Sequence, residues 1–209
     1  MSASHTYRLA TFLLLGIACP GVSAGESTVW QAGHVPEPIV DQATGTAVRK
    51  PDVVYIPTAP ATVDAMLRLA AVTHNDVVYD LGCGDGRLVV AAASRYGARG
   101  MGIDIDPQRV AEATAHVRAS NLEGRVRIVQ GDLLEVGLKG ATVVILYLSA
   151  ELNAKLRPKL LADLRPGARI VSHHFGMGDW KPDESVRVGD DMLYLWRIPQ
   201  LPRSHTPPG

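Results

Sequence analysis

The sequence has little cysteine, no excess of either charge and no apolar run long enough to cross a bilayer. Only Cys19 and Cys83 occur among 209 residues. Cys19 falls in an N-terminal segment that reads as removable, so no intramolecular disulfide is expected in the mature chain. Twenty-one Lys and Arg balance 21 Asp and Glu, for a formal charge of zero. With no Lys/Arg run, that balance argues against a nucleic-acid partner, which needs a basic stripe or patch. No repeat and no low-complexity tract occurs. No Cys/His set stands at metal-ligand spacing, and no metal is expected. His173 and His174 are adjacent on a predicted strand, where successive side chains point to opposite faces and cannot share one ion.

The apolar stretch from Leu9 to Cys19 follows a single arginine, Arg8, and leads to Val22-Ser23-Ala24. It is too short to span a membrane comfortably. The pattern predicts a signal peptide cleaved after Ala24, hence a secreted or periplasmic protein. Two alternatives stay open: a short membrane anchor holding the domain on the cytoplasmic side, or a core helix. Gly16, where Leu or Val is usual, makes Cys19 a poor lipoprotein acylation site.

Residues 25–51 are polar and lack a sustained period, a loop-rich lead-in. The pattern predicts one domain over 52–199 and a disordered tail over 200–209. Within the domain, "PTAPATVDAMLRLAAV" has a helical apolar face, with Thr58 as a possible cap and Pro60 in the first turn. Strands and helices then alternate. Val77–Tyr79, "GMGIDID", "RVRIVQGD", "ATVVILYL" and "ARIVSHHF" read as strands. Asp106-Pro107 opens a helix to about Asn121. "SAELNAKLRPKLLADLRPG" reads as another, which Pro158 should kink or split. "SVRVGDDMLYLWRIP" reads as a closing hairpin. The alternation predicts an α/β, Rossmann-like fold: a seven-stranded, mostly parallel sheet, helices on both faces, and a C-terminal antiparallel hairpin at one edge.

The informative stretch is "VVYDLGCGDGRLVV", Val77 to Val90. Gly82, Gly84 and Gly86 allow a sharp turn and close ligand approach, with free N–H groups expected at the helix start. A dinucleotide fingerprint is G-x-G-x-x-G, whereas this loop is G-x-G-x-G. Asp104, ending the second strand, suits a ribose in either case. Asp80 discriminates, because a carboxylate at the loop mouth repels a pyrophosphate and attracts an ammonium group. Asp132, after the third strand, can accept from an adenine amino group. Three acids at three successive strand ends describe a cationic ligand with a ribose and an adenine. Cys83 reads as a small buried side chain in this loop rather than a reactive thiol.

"VVYDLGCGDGRL", "GMGIDID" and "VRIVQGDLL", in that order, resemble the first three motifs of class I S-adenosylmethionine-dependent methyltransferases. The resemblance covers about Val53 to Trp196. It implies S-adenosyl-L-methionine as cofactor, with Asp80, Gly82, Gly84 and Gly86 along its methionine part. It also implies Asp104 on the ribose, Ile105 against the adenine, and Asp132 with Leu133 at the adenine's edge and face. A narrower resemblance rests on "GDGR", "YIPT", the "L..KL...L..GARIVS" unit and Trp180-Lys181-Pro182. It points to the protein-lysine methyltransferases of this fold, including those for the ATP synthase c-ring protein and the adenine nucleotide translocase. Those relatives often carry a glutamate where this chain has Asp104. The resemblance implies methyl transfer to an amine, with a protein lysine as the leading acceptor. A small metabolite, or cofactor binding without catalysis, stays open. S-adenosylmethionine is made in the cytoplasm, which sets the predicted export against the predicted cofactor.

The fourth strand ends in Tyr147-Leu148-Ser149-Ala150-Glu151, with no Asp/Asn-Pro-Pro-aromatic tetrad to grip a planar amino group. Tyr147, Glu151 and Asn153 are the acceptor-side candidates. Ser149 reads better as a helix cap. Trp180 reads as packing at the sheet edge, and Tyr55 as a residue that closes over the cofactor, the latter on resemblance only.

Overall fold

The computed structural model describes residues 55–199. The predicted signal or anchor segment, the lead-in and the tail lie outside the described residues. Among the described residues no helix is long and apolar enough to cross a membrane.

Eleven elements follow one another among the described residues: α1 (Pro60–Leu69), β1 (Val77–Leu81), α2 (Arg87–Tyr96), β2 (Arg99–Asp104), α3 (Pro107–Ala119), β3 (Val126–Gln130), β4 (Val143–Leu146), α4 (Ala150–Asp163), β5 (Arg169–His173), β6 (Glu184–Val188) and β7 (Asp191–Arg197). They build one seven-stranded sheet in the order β3-β2-β1-β4-β5-β7-β6. β1 to β5 pair in parallel, and β7 runs antiparallel to both its neighbours. Strand order therefore reverses between β1 and β4, which opens a crevice beyond their carboxyl ends.

Alternation along β1 separates two cores. Val77, Tyr79 and Leu81 face the side covered by Leu152, Leu156 and Leu160 of α4. Val78 faces α1 and α2, where Met66, Leu67, Leu88 and Ala92 pack. Asp80 shares the face of Val78 by the two-residue period of a strand, and that places a carboxylate at the mouth of the crevice.

Two sequence expectations are corrected. The α1 cap is Ala59 rather than Thr58, and it makes no side-chain hydrogen bond. Thr58 is instead buried, and its carbonyl accepts from Arg87. Helix α4 is not split at Pro158, although it contains that residue. Its buried leucine stripe on the sheet offsets the one backbone hydrogen bond a proline removes. The C-terminal antiparallel hairpin lies at one edge of the sheet as expected, with β7 between β5 and β6. Leu193, Leu195 and Trp196 of β7 are fully buried, while β6 exposes Glu184 and Arg187. The apolar strand takes the interior position, and the charged one guards the edge.

At the opposite end of the sheet from the crevice, Asp76 is a hub. Its Oδ1 accepts from Thr142 Oγ1 at 2.7 Å and from Arg169, and its Oδ2 accepts from the Thr73 backbone at 2.8 Å. Arg169 also donates to the Ala70 carbonyl at 2.7 Å, tying the end of α1 to β5. Burial pushes the Asp76 carboxyl up, but the hydrogen bonds from Thr142 and Thr73 and the Arg169 charge hold it below its ordinary value. Asp76→Ala leaves the Arg169 charge half-buried and unpaired. We expect it to cost about 3 kcal/mol of stability, read from urea denaturation, with cofactor affinity retained.

Candidate functional site

A cleft of about 430 Å³ lies beyond the carboxyl ends of β1, β2 and β4. Its wall includes Asp80, Gly82, Asp104, Ile105, Asp132 and Leu133, so six of the eight predicted cofactor residues meet in one place. Gly84 and Gly86 stand behind that wall. All three loop glycines have positive φ, between 54° and 81°. A Cβ on Gly84 would sit 2.2 Å from the Tyr55 ring, and this glycine therefore makes room for an aromatic side chain. Gly86 caps α2 and packs on Ala113 of α3.

The N–H groups of Gly82, Cys83, Gly84 and Gly86 all have partners within the protein. Gly82 and Cys83 both donate to the Ile103 carbonyl, at 2.8 and 3.0 Å, and Gly86 donates to the Cys83 carbonyl at 2.9 Å. Gly84 donates to Asp104 Oδ2 at 2.9 Å. A phosphate cradle needs such groups pointing at its ligand. Here Gly82, Cys83 and Gly84 donate theirs to β2, closing the loop onto that strand. Cys83 is buried, and its thiol is pushed well above its ordinary value by burial and by the neighbouring Asp80 and Asp104. It acts as packing.

Asp80 is almost wholly buried, and its carboxyl is pushed up to about 8 by burial first and then by the charges of Asp104 and Asp85. A cation placed beside this buried carboxyl would favour its charged form. Asp104 accepts backbone N–H bonds on both oxygens, from Gly84 and from Asp106 at 3.0 Å. Each oxygen keeps one acceptor position for a hydroxyl. Asp132 accepts from the Leu134 N–H at 2.9 Å while lining the cleft.

A strap, Tyr55 to Thr58, covers the loop and is held by Arg87. That guanidinium donates to the Thr58 carbonyl at 2.8 Å, to the Tyr55 hydroxyl at 3.4 Å, and to Asp85 at 2.6 Å. The Asp85 carboxyl is pushed up by burial, yet its hydrogen bonds from Arg87 hold it below its ordinary value. Arg109 lies 4.8 Å from the centre of the Tyr55 ring. Sequence reasoning placed Tyr55 by resemblance and missed the roles of Arg87 and Arg109. The signal for Arg87 was the "GDGR" that opens α2.

The three acceptor-side candidates separate. Tyr147 lines the cleft beside Leu148 and Leu152. Its hydroxyl is pushed up, by burial and then by Asp191. Glu151 is exposed and pairs with Lys155 at 2.7 Å on the outer side of α4. Asn153 is fully buried away from the cleft wall. Its amide reaches Ser172 Oγ at 3.0 Å and the Phe175 carbonyl at 3.1 Å, clamping the segment after β5. Neither Glu151 nor Asn153 lines the cleft, and Tyr147 alone of the three does. Asn153→Ala should cost about 2 kcal/mol of stability, because polar partners are left buried, and should leave cofactor affinity within about twofold by calorimetry. Ser149 caps α4, accepting from the Leu152 N–H at 3.1 Å. Trp180 packs at the sheet edge, its carbonyl accepting from Trp196 Nε1 at 3.0 Å.

His173 and His174 do not face opposite ways, contrary to the strand expectation. β5 ends at His173, and His174 takes φ +64°. The two rings consequently stack, centroids 4.6 Å apart and 15° from parallel. His173 in turn lies against Tyr147, centroids 3.9 Å apart. Burial lowers the His173 pKa, with Asp191 opposing that shift.

Residues 80–184, half of the chain, match the ANTKMT methyltransferase domain. A protein-lysine N-methyltransferase of Saccharolobus islandicus is 42% identical over 153 residues, 71% of this chain and 95% of that protein. The lysine N-methyltransferase of Xenopus laevis named for the ATP synthase c-ring protein is 26% identical, over 88% of this chain and 77% of its own length. Among solved structures, an RNA methyltransferase from Salinibacter ruber in complex with S-adenosyl-L-homocysteine is 48% identical. It superposes with a TM-score of 0.68 over 71% of this chain and 97% of that one. The relatives differ in the acceptors their names give and are all named methyltransferases, and the Salinibacter ruber structure holds S-adenosyl-L-homocysteine. The chain belongs to the ANTKMT methyltransferase domain family and is an S-adenosylmethionine-dependent methyltransferase.

Proposed function

We propose that this enzyme methylates the side-chain amine of a protein lysine. The supporting observation is the wall at the end of β4. Tyr147, Leu148 and Leu152 present an aromatic and apolar surface there, without an amide or carboxylate to grip a planar base. Such a wall suits the four-carbon stem of a lysine. It also disfavours the charged ammonium by desolvation, which promotes the neutral amine that must attack. Apart from the buried Asp80, the cleft is lined by four carboxylates against two guanidinium groups, which attracts a cationic side chain and repels a phosphate backbone.

In the proposed complex, Asp80 takes the ammonium of the methionine part, Asp104 the ribose hydroxyls, and Asp132 the adenine amino group, with Ile105 and Leu133 on the adenine faces. S-adenosylmethionine supplies a methyl on a sulfonium, a good leaving group. The chain's residues then need only hold the amine in line with it and exclude water. The amine lone pair forms the new N–C bond as the C–S bond breaks, the sulfur keeps that electron pair, and the product ammonium later releases a proton to solvent. The strap at Tyr55 to Thr58 closes the donor side.

An RNA acceptor is the second reading, favoured only by the name of the Salinibacter ruber relative. Labelled methyl from S-adenosylmethionine, offered with separated protein, RNA and small-molecule fractions, decides between them. Label in protease-sensitive bands supports the proposal. Label in ribonuclease-sensitive material, or only in small molecules, overturns it. For location, the N-terminal pattern supports export by a signal peptide, with a short anchor facing the cytoplasm as the alternative; residues 1–25 fused to a periplasm-only reporter should give active reporter, and an inactive fusion overturns export.

A further inference from the structure

Three side chains just outside the cleft are arranged around a shared point. His173 Nε2 and His174 Nε2 each lie 3.1 Å from the same carboxylate oxygen, Asp191 Oδ1. One donor atom from each of the three residues falls within 4.8 Å of the others. His173 is 3% exposed, and neither of its ring nitrogens has a hydrogen-bond partner, because the approach to Asp191 is close without being aligned. A buried imidazole without a partner on either nitrogen is costly for a folded protein to keep. Coordination of an ion would satisfy the nitrogen facing Asp191.

The surroundings fit a coordination site. Four-coordinate zinc holds N and O ligands at about 2.0–2.2 Å, so adjacent ligand atoms stand about 3.3 Å apart. The two imidazole-to-carboxylate distances match that spacing, and because the rings stack 15° from parallel, the exposed His174 ring must turn to aim its Nε2 at the same ion as His173. The other oxygen of Asp191, Oδ2, accepts from Thr62 Oγ1 at 2.6 Å, which fixes the carboxylate and leaves Oδ1 turned to the histidines. His174 is 37% exposed along its side chain, which provides an entry path and leaves a fourth position to water. Two imidazoles and one carboxylate select a borderline divalent transition ion over magnesium or calcium, which prefer all-oxygen sets.

We propose that His173, His174 and Asp191 form a binding site for a divalent transition-metal ion of the zinc class. The site joins the end of β5 to the start of β7 and, through Thr62, to α1. Because the His173 ring lies against Tyr147, the ion braces the wall at which the acceptor is proposed to enter. The metal site itself does not depend on which acceptor is methylated.

The test uses the full chain, stripped of metal with a chelator and without cofactor. Cobalt(II) alone is titrated and followed by visible absorption, then displaced by zinc(II). The expected result is one equivalent with the intensity of a tetrahedral site and a raised thermal midpoint. His174→Asn, which tolerates the same left-handed backbone, and Asp191→Asn should each weaken binding at least tenfold. Thr62→Val, nearly isosteric and outside the ligand set, should weaken it in the same direction. Unchanged S-adenosylmethionine affinity in these variants reports that they are folded. Absence of stoichiometric cobalt binding to the wild-type chain overturns the proposal. So does wild-type affinity in the folded variants.

Discussion

Asp80→Asn is expected to weaken S-adenosylmethionine binding on the order of 100-fold, about 3 kcal/mol, while making the unliganded protein more stable at pH 8. Both effects follow from one buried carboxyl. Desolvation and the adjacent Asp104 and Asp85 raise it from 3.8 to about 8. Losing one partner of a buried charge pair costs about 2–5 kcal/mol of affinity, which sets the size of the first effect. For the second, the folded state holds a proton that the unfolded chain releases near its ordinary carboxylate value. Stability contributed by this group is therefore present below about pH 4 and lost as pH rises toward 8. Asparagine carries no charge at any pH and removes that penalty. Thermal midpoints of the two unliganded proteins should converge at low pH and separate at pH 8.

The same shift gives cofactor binding a pH dependence. Below pH 8 the unliganded Asp80 is mostly protonated, and pairing with an ammonium requires the charged form. Wild-type affinity should climb from pH 6 toward pH 8, by up to about tenfold per unit, with about one proton released on binding. The Asp80→Asn variant should lose this rise. Calorimetry in buffers of different ionisation enthalpy measures both quantities. A wild-type affinity flat across this range would contradict the pairing.

Asp104→Ala should also have a large effect, for two separable reasons. It removes the proposed acceptor of the ribose hydroxyls, and it leaves the Gly84 and Asp106 N–H groups without the carboxylate that now accepts from them. The first loss weakens S-adenosylmethionine by about 1–3 kcal/mol. The second loosens the joint between the glycine loop and β2 and lowers stability by about 1–2 kcal/mol. Asp104→Asn keeps an oxygen acceptor but adds an amide donor, so it should recover part of the stability and little of the affinity. Binding calorimetry and urea denaturation on both variants separate the two contributions.

Most of the fold was legible because its signals are local. Runs of Val and Ile mark the central strands, Asp106 and Ser149 cap α3 and α4 as their spacing predicts, and glycines break the chain at the loop. The acids at strand ends were legible too, because a parallel sheet brings consecutive strand ends to one side. What stayed hidden depends on distant partners or on one dihedral. Insertion of β7 between β5 and β6 is decided by the relative burial of two strands, not by their spacing. Asn153 could not be told from a cleft residue without Ser172 and Phe175, which it holds from 19 and 22 positions away. The positive φ of His174 reverses the side on which its ring falls, against the period-2 rule that holds only inside a strand. The partners of the Gly82, Cys83 and Gly84 N–H groups were hidden because their acceptors, Ile103 and Asp104, belong to the neighbouring strand.

The most direct test of the account is the identity of the methylated atom. Protein labelled by the wild-type enzyme and S-adenosylmethionine is digested and sequenced by mass spectrometry, beside material treated with Asp80→Asn. The account predicts added methyl groups on the Nε of a lysine, at specific sites and in the wild-type sample alone. Methyl groups on a nucleobase, on another side chain, or equally in both samples would contradict it.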